Sequence, residues 1–98
     1  MSRRDSVLRT LSRNRSRIRN CGVRRLGLFG STVRGEDSKS SDLDFVAEFD
    51  RKSFDNYMDL KSLLEKLFKR KVDLVLSDAI KPRLRETILG QAVYAPGL

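Results

Sequence analysis

Gly30-Ser31, a ten-residue spacer from Thr32 to Ser41, and then Asp42-Leu43-Asp44 set a phosphate-cradling turn upstream of two carboxylates. The run reads GSTVRGEDSKSSDLD and sits between two apolar stretches, Leu26-Gly27-Leu28-Phe29 and Phe45-Val46-Ala47. Glycine allows a close approach of backbone to phosphate. A helix beginning at Ser31 would aim free N–H groups at the β- and γ-phosphates of a nucleotide, with the serine hydroxyl as a further donor. Arg34, one turn on, is a candidate phosphate ligand, its plainer alternative being a structural salt bridge. Asp42 and Asp44 stand two apart on an expected strand, so both project to one face while Leu43 and Phe45 project to the core. Paired carboxylates suit magnesium, which takes carboxylate and phosphate oxygens. Nucleotide transfer from a triphosphate needs positioned phosphates, neutralised charge and two oxygens in line, commonly between two metal ions about 3.5–4 Å apart.

A third carboxylate is expected from a neighbouring strand, and Asp73 fits. It lies between Val72 and Leu74 in an apolar run, where an unpartnered buried charge would be costly. Metal ligation would supply partners, and Asp73 could also accept the proton of an attacking hydroxyl. Taken singly, each piece has a bland reading: Gly-Ser after a strand is a common turn, and Asp73 could pair with an arginine. The order and spacing carry the specificity. Glu36, Asp37 and Glu48 read as solvated surface acids.

A scaffold of helices and strands is needed to hold these residues in place. Residues 5–20 read as a helix with Val7, Leu8, Leu11 and Ile18 on one side, ended by Gly22. Val23 to Phe29 reads as the first strand, Arg34 to Ser41 as a polar loop, and Asp42 to Phe49 as the second strand. Residues 54–68 carry apolar side chains at three- and four-residue steps, with Ser53 as the N-cap of a helix. Lys71 to Leu76 reads as a third strand. Pro82 suits the first turn of a last helix with Leu84, Ile88 and Leu89 as its apolar contacts. Val93-Tyr94 is a candidate short terminal strand. The order is α-β-β-α-β-α with that terminal β as an option. It gives an α/β (α+β) fold, a small mixed sheet flanked by helices.

Ninety-eight residues are expected to form a single domain, 1–98, with little room for a separate acceptor domain. The formal charge is +8, and all of the surplus is N-terminal. Residues 1–25 hold nine arginines and one acid, while residues 26–98 hold twelve basic and twelve acidic residues. Such a segment either attracts polyanions, nucleic acid among them, or is a solvated basic helix. No aromatic is interleaved there, so single-strand base stacking lacks its usual platform. Cys21 is the only cysteine, and it reads as a core or loop residue rather than a nucleophile. The absence of histidine removes Ser-His-Asp and Cys-His catalysis and histidine metal sites. With no disulfide framework, no apolar stretch after the basic N-terminus and no membrane-length apolar run, a cytoplasmic location is expected.

The run GSTVRGEDSKSSDLDFVAEF resembles the signature of the DNA polymerase β-like nucleotidyltransferase superfamily: Gly-Ser, a ten-residue spacer, Asp-x-Asp. The FGS-x-x-RGE run, the SDLD and KVDLV strands and the KPRLRETILGQAVY tail resemble its minimal nucleotidyltransferase (MNT) members, over nearly the whole chain. MNT proteins are commonly paired with a HEPN-domain protein in toxin–antitoxin modules. The resemblance implies that this chain is the antitoxin, transferring AMP from ATP to a tyrosine of the HEPN toxin with magnesium, two ions being expected. By position, Gly30 and Ser31 would bind the triphosphate and Asp42 and Asp44 both metals. Asp73 would complete the metal site and help deprotonate the tyrosine. Two other functions compete: neutralisation by binding and occlusion alone, and nucleotidyl transfer to RNA or a small molecule.

Overall fold

Val23–Phe29 (β1) and Leu43–Phe49 (β2) pair antiparallel at the centre of a four-stranded sheet. In the computed structural model, which describes residues 3–35 and 42–96, Val72–Leu76 (β3) lies parallel to β2. The two-residue Val93–Tyr94 (β4) pairs antiparallel with β1, giving the order β3-β2-β1-β4. The helices are Arg3–Arg13 (α1), Arg15–Arg19 (α2), Ser31–Arg34 (α3), Phe54–Phe68 (α4) and Pro82–Gln91 (α5), with one 3₁₀ turn at Ser77–Ala79. The mixed α/β fold read from the sequence is therefore present, with α3 starting at Ser31 as anticipated and the 3₁₀ turn as an addition.

Strand alternation divides the sheet into two faces. Leu26, Leu28, Leu43, Phe45, Ala47, Val72 and Leu74 face inward and meet Val7, Leu11, Ile18, Leu60 and Leu64 from the N-terminal helices and α4. Phe45 is fully buried and stacks on Phe68 with ring centroids 5.9 Å apart. Burying each such side chain contributes about 1.5–3 kcal/mol. The other face carries the acids and is covered only in part.

The helix α4 fixes the position of β3. Its start is capped as expected, Asn56 N–H donating to Ser53 Oγ at 3.1 Å. From its flank, Tyr57 Oη donates to the Leu74 carbonyl at 2.7 Å and Glu65 Oε2 accepts from Val72 N–H at 3.1 Å. An edge strand is thus held at two points on either side of Asp73.

Two expectations need correction. One helix was expected over residues 5–20, but the chain breaks at Asn14. The Asn14 N–H is shared between the Thr10 and Leu11 carbonyls at 3.2 and 3.1 Å, and its side-chain amide donates to Thr10 O at 2.8 Å. Asparagine competes in this way with regular helix bonding. Val7, Leu11 and Ile18 nonetheless all reach the core, and Gly22 ends the segment at φ 85°. The second correction concerns α5. Pro82 does occupy its first turn, but no residue of α5 is buried and Leu84 is 44% exposed. The sheet beneath α5 ends in a two-residue strand, so it offers little surface to cover. The polar loop expected over 34–41 lies mostly outside the described residues, as do Glu36 and Asp37. No described helix is long and apolar enough to cross a membrane.

Candidate active site

β1 ends at Phe29, and Gly30 turns the chain into α3 with φ 82° and ψ −151°. That region of backbone space is essentially open to glycine alone. A Cβ at position 30 would strike a carboxylate oxygen of Asp44, with the carboxyl carbon at 3.0 Å and the Asp44 Cβ at 3.2 Å. Gly30 therefore both makes the turn and leaves room for an acid, the second role being one that no local sequence signal announces. The first α3 hydrogen bond runs from Arg34 N–H to Gly30 O at 3.2 Å. The N–H groups of Ser31, Thr32 and Val33 precede it and have no i−4 acceptor within the helix. Ser31 is half-buried at the first position of α3 and Arg34 is exposed at the last. Arg34 Nη1 donates to Gln91 Oε1 of α5 at 3.4 Å, a contact 57 residues distant in sequence.

The carboxylates are gathered by strand register. Asp44 of β2 sits opposite Phe29 on one side and opposite Asp73 of β3 on the other. Neighbouring strands run about 4.8 Å apart, so Asp44 and Asp73 stand side by side on one face. Asp42 precedes β2 and is exposed. Burial pushes the Asp44 carboxyl above the ordinary carboxylate range, Asp73 and then Asp42 add repulsion, and Arg34 partly offsets them. The structure thus brings Gly30, Asp42, Asp44, Asp73 and Arg34 around one point, with Ser31 next along the chain. The burial argument for Asp73 does not hold: β3 alternates, with Val72 and Leu74 buried and Asp73 exposed. What distinguishes Asp73 is its place opposite Asp44.

This donor set suits a divalent cation. Among the groups that shift Asp44, Arg34 alone brings positive charge against two acids, and hard oxygen ligands of that kind are what magnesium takes. Among the described residues no three acidic side chains are already drawn into a cage. The structure supplies the register, not a preformed pocket for an ion.

Other groups stand outside this chemistry. Cys21 is half-buried, and burial followed by Asp59 pushes its thiol up, away from the nucleophilic thiolate. Thr32 is buried and its hydroxyl has no hydrogen-bond partner among the described residues. A cleft of about 470 Å³ opens elsewhere, its lining including Arg25, Glu48, Lys52, Arg85 and Tyr94, and it includes none of the six candidate residues. There Arg25 stacks its guanidinium 4.0 Å from the Tyr94 ring, which lies against Gly27 so closely that a Cβ there would be 3.1 Å from it. Neither contact was legible in the sequence.

Residues 7–95 match the nucleotidyltransferase domain family. The protein adenylyltransferase MntA of Thermococcus cleftensis is 39% identical over 74 residues, covering 74% of this chain and 75% of that one. A solved structure described as a minimal nucleotidyltransferase matches with a TM-score of 0.73 at 34% identity, over 95% of both chains. A chain from a complex of tri-AMPylated Shewanella oneidensis HEPN toxin with MNT antitoxin matches with a TM-score of 0.64 at 17% identity. That match covers 93% of this chain and 73% of the other, and at such identity the likeness is one of fold.

Proposed function

This chain belongs to the nucleotidyltransferase domain family, and we propose that it is an antitoxin that transfers AMP from ATP to a tyrosine of a partner HEPN toxin, neutralising it. The observation that carries the reading is the Asp44–Asp73 pair in strand register beside Gly30, whose missing Cβ leaves space for the Asp44 carboxylate. A pair of like charges held together by backbone bonding has no structural use on a half-open sheet face, but it has one in phosphate chemistry. The MntA relative is named as a protein adenylyltransferase, and the solved complex contains an AMPylated HEPN toxin, which supports the same acceptor class here.

The residues divide the work. The backbone of Gly30 and Ser31 and the Ser31 hydroxyl hold the β- and γ-phosphates at the start of α3. Arg34 contributes positive charge beside them. Asp42, Asp44 and Asp73 would hold magnesium, which when bound neutralises phosphate charge and polarises the reacting oxygens. The tyrosine oxygen bonds to the α-phosphorus, the bond from that phosphorus to the β-phosphate bridge breaks, and pyrophosphate leaves. Asp73, the exposed member of the pair, takes the hydroxyl proton, since an accessible carboxylate is the one an incoming side chain can reach. Residues 1–98 act as one nucleotidyltransferase domain that receives its acceptor in trans.

The test is intact mass and peptide mapping of the proposed HEPN partner, after incubation with ATP and magnesium. The expected result is a mass gain of AMP on a tyrosine, lost with Asp42→Asn/Asp44→Asn. An unmodified toxin that is still neutralised by the double variant would replace transfer with occlusion.

A further inference from the structure

The nine arginines of residues 1–25 are not used by the chemistry above. Folding sorts them from the apolar residues. Val7, Leu11 and Ile18 enter the core, while Arg4, Arg9, Arg13, Arg15, Arg17 and Arg19 remain exposed. In one unbroken helix at 100° per residue, Arg15 would point roughly 200° away from Arg13. The break at Asn14 changes that. Arg9, Ser12 and Arg13 of α1 and Arg15 and Ser16 of α2 line a shared concavity of about 420 Å³, with no acidic or apolar side chain of the described residues in its wall.

Local electrostatics oppose this arrangement. The first turn of α2 holds no acid and begins with Arg15, and a cation at a helix N-terminus is unfavourable. A local rule broken without a structural gain points to a binding use. We propose that α1 and α2 form a binding site for the phosphate backbone of a nucleic-acid duplex, centred on Arg9, Arg13 and Arg15. Three guanidinium groups and two serine hydroxyls are all phosphate donors. The net surplus of positive charge lies in residues 1–25, most of it on α1 and α2, since residues 26–98 sum to zero.

The composition of the face favours a polyanion over an apolar protein surface. Protein interfaces are built on a buried apolar or aromatic centre. The exposed large hydrophobic residues among those described are Phe54, Met58 and Leu84, none of them in α1 or α2. Single strands are gripped by stacking on aromatic rings, and no aromatic occurs before Phe29. What remains is recognition of backbone charge, which reads no sequence and does not depend on the sugar.

The inference stands apart from the catalytic reading and has its own test. Binding of the full chain to an RNA duplex and a DNA duplex of equal length is followed by fluorescence anisotropy across a salt series. Both duplexes are expected to bind, with log affinity falling linearly against log salt. Arg9→Gln/Arg13→Gln/Arg15→Gln should flatten the DNA slope by about 2–3, at close to 0.9 for each phosphate no longer neutralised. The matching triple lysine variant should restore it, and AMP transfer should be unchanged in both. Circular dichroism melts confirm that the variants are folded. An unchanged slope in the folded glutamine variant, or binding to only one of the two duplexes, would overturn the proposal.

Discussion

Gly30→Ala separates the two demands placed on one position. The residue must adopt φ 82° and ψ −151°, and it must leave space for the Asp44 carboxylate. The backbone demand alone is worth about 1–3 kcal/mol in a region that is essentially glycine-only. For a domain of this size each kcal/mol moves the melting temperature by about 4–8 °C, so a fall of about 4 °C to 20 °C or more is expected. The second demand falls on catalysis. With the Asp44 carboxyl carbon at 3.0 Å and Cβ at 3.2 Å from the new methyl, the carboxylate must move by an amount on the order of 1 Å, and misplacement on that scale reduces rates about 100-fold. Gly35→Ala is the control. Gly35 has φ 75° and ψ 18°, and nothing among the described residues lies within 4 Å of a Cβ there. It should lose about 1–2 kcal/mol for left-handed backbone while keeping transfer within a few-fold of wild type. The assay is the initial rate of AMP transfer to the proposed HEPN partner, measured below both melting transitions. Wild-type rates in Gly30→Ala, or equal losses in the two variants, would refute the assignment of Gly30 to Asp44.

Three further outcomes follow from the same geometry. The Asp44 carboxyl is raised above its ordinary value of 3.8 by burial and by Asp73 and Asp42, so between 3.8 and its folded value the native state binds more protons than the unfolded chain. Stability therefore falls as pH rises through that window. Asp44→Asn should raise the melting temperature of the ligand-free chain at pH 7 and abolish transfer; a lower melting temperature would contradict this. ATP with magnesium at about 100 times its dissociation constant should stabilise the wild type by about 2.7 kcal/mol, and a scanning melt should show the same shift absent from Asp42→Asn/Asp44→Asn. Thr32→Val removes a buried hydroxyl that has no partner among the described residues, so it should stabilise by about 1 kcal/mol or more and leave transfer intact. A destabilised Thr32→Val would show that the hydroxyl makes a bond on which the fold depends.

The parts legible in the sequence were those governed by short-range rules. Ser53 and Pro82 marked helix starts because capping and the proline ring act within one turn. Asp44 could be placed on the face opposite Leu43 and Phe45 because strand periodicity is two, whereas Asp42, expected on the same strand, falls just before β2. The break at Asn14 was hidden because the apolar period continues through it, and the amide–carbonyl competition that interrupts the helix leaves Val7, Leu11 and Ile18 in phase. Register was hidden for a different reason. Nothing local states that Asp73 meets Asp44, which depends on how β3 docks on β2 and on the anchoring of β3 by Tyr57 and Glu65. The contact between Arg34 and Gln91 is likewise a product of the assembled fold.

Nucleotidyl transfer breaks the bond between the α-phosphorus and the departing pyrophosphate, whereas phosphoryl transfer breaks the bond to the γ-phosphorus. Two samples of ATP distinguish them, one labelled at the α-phosphate and one at the γ-phosphate, each incubated with the chain, magnesium and the HEPN partner. The expected result is partner labelling from the α-phosphate alone, dependent on Asp42 and Asp44. Labelling from the γ-phosphate, or none from either while the partner is bound and silenced, would contradict nucleotidyl transfer.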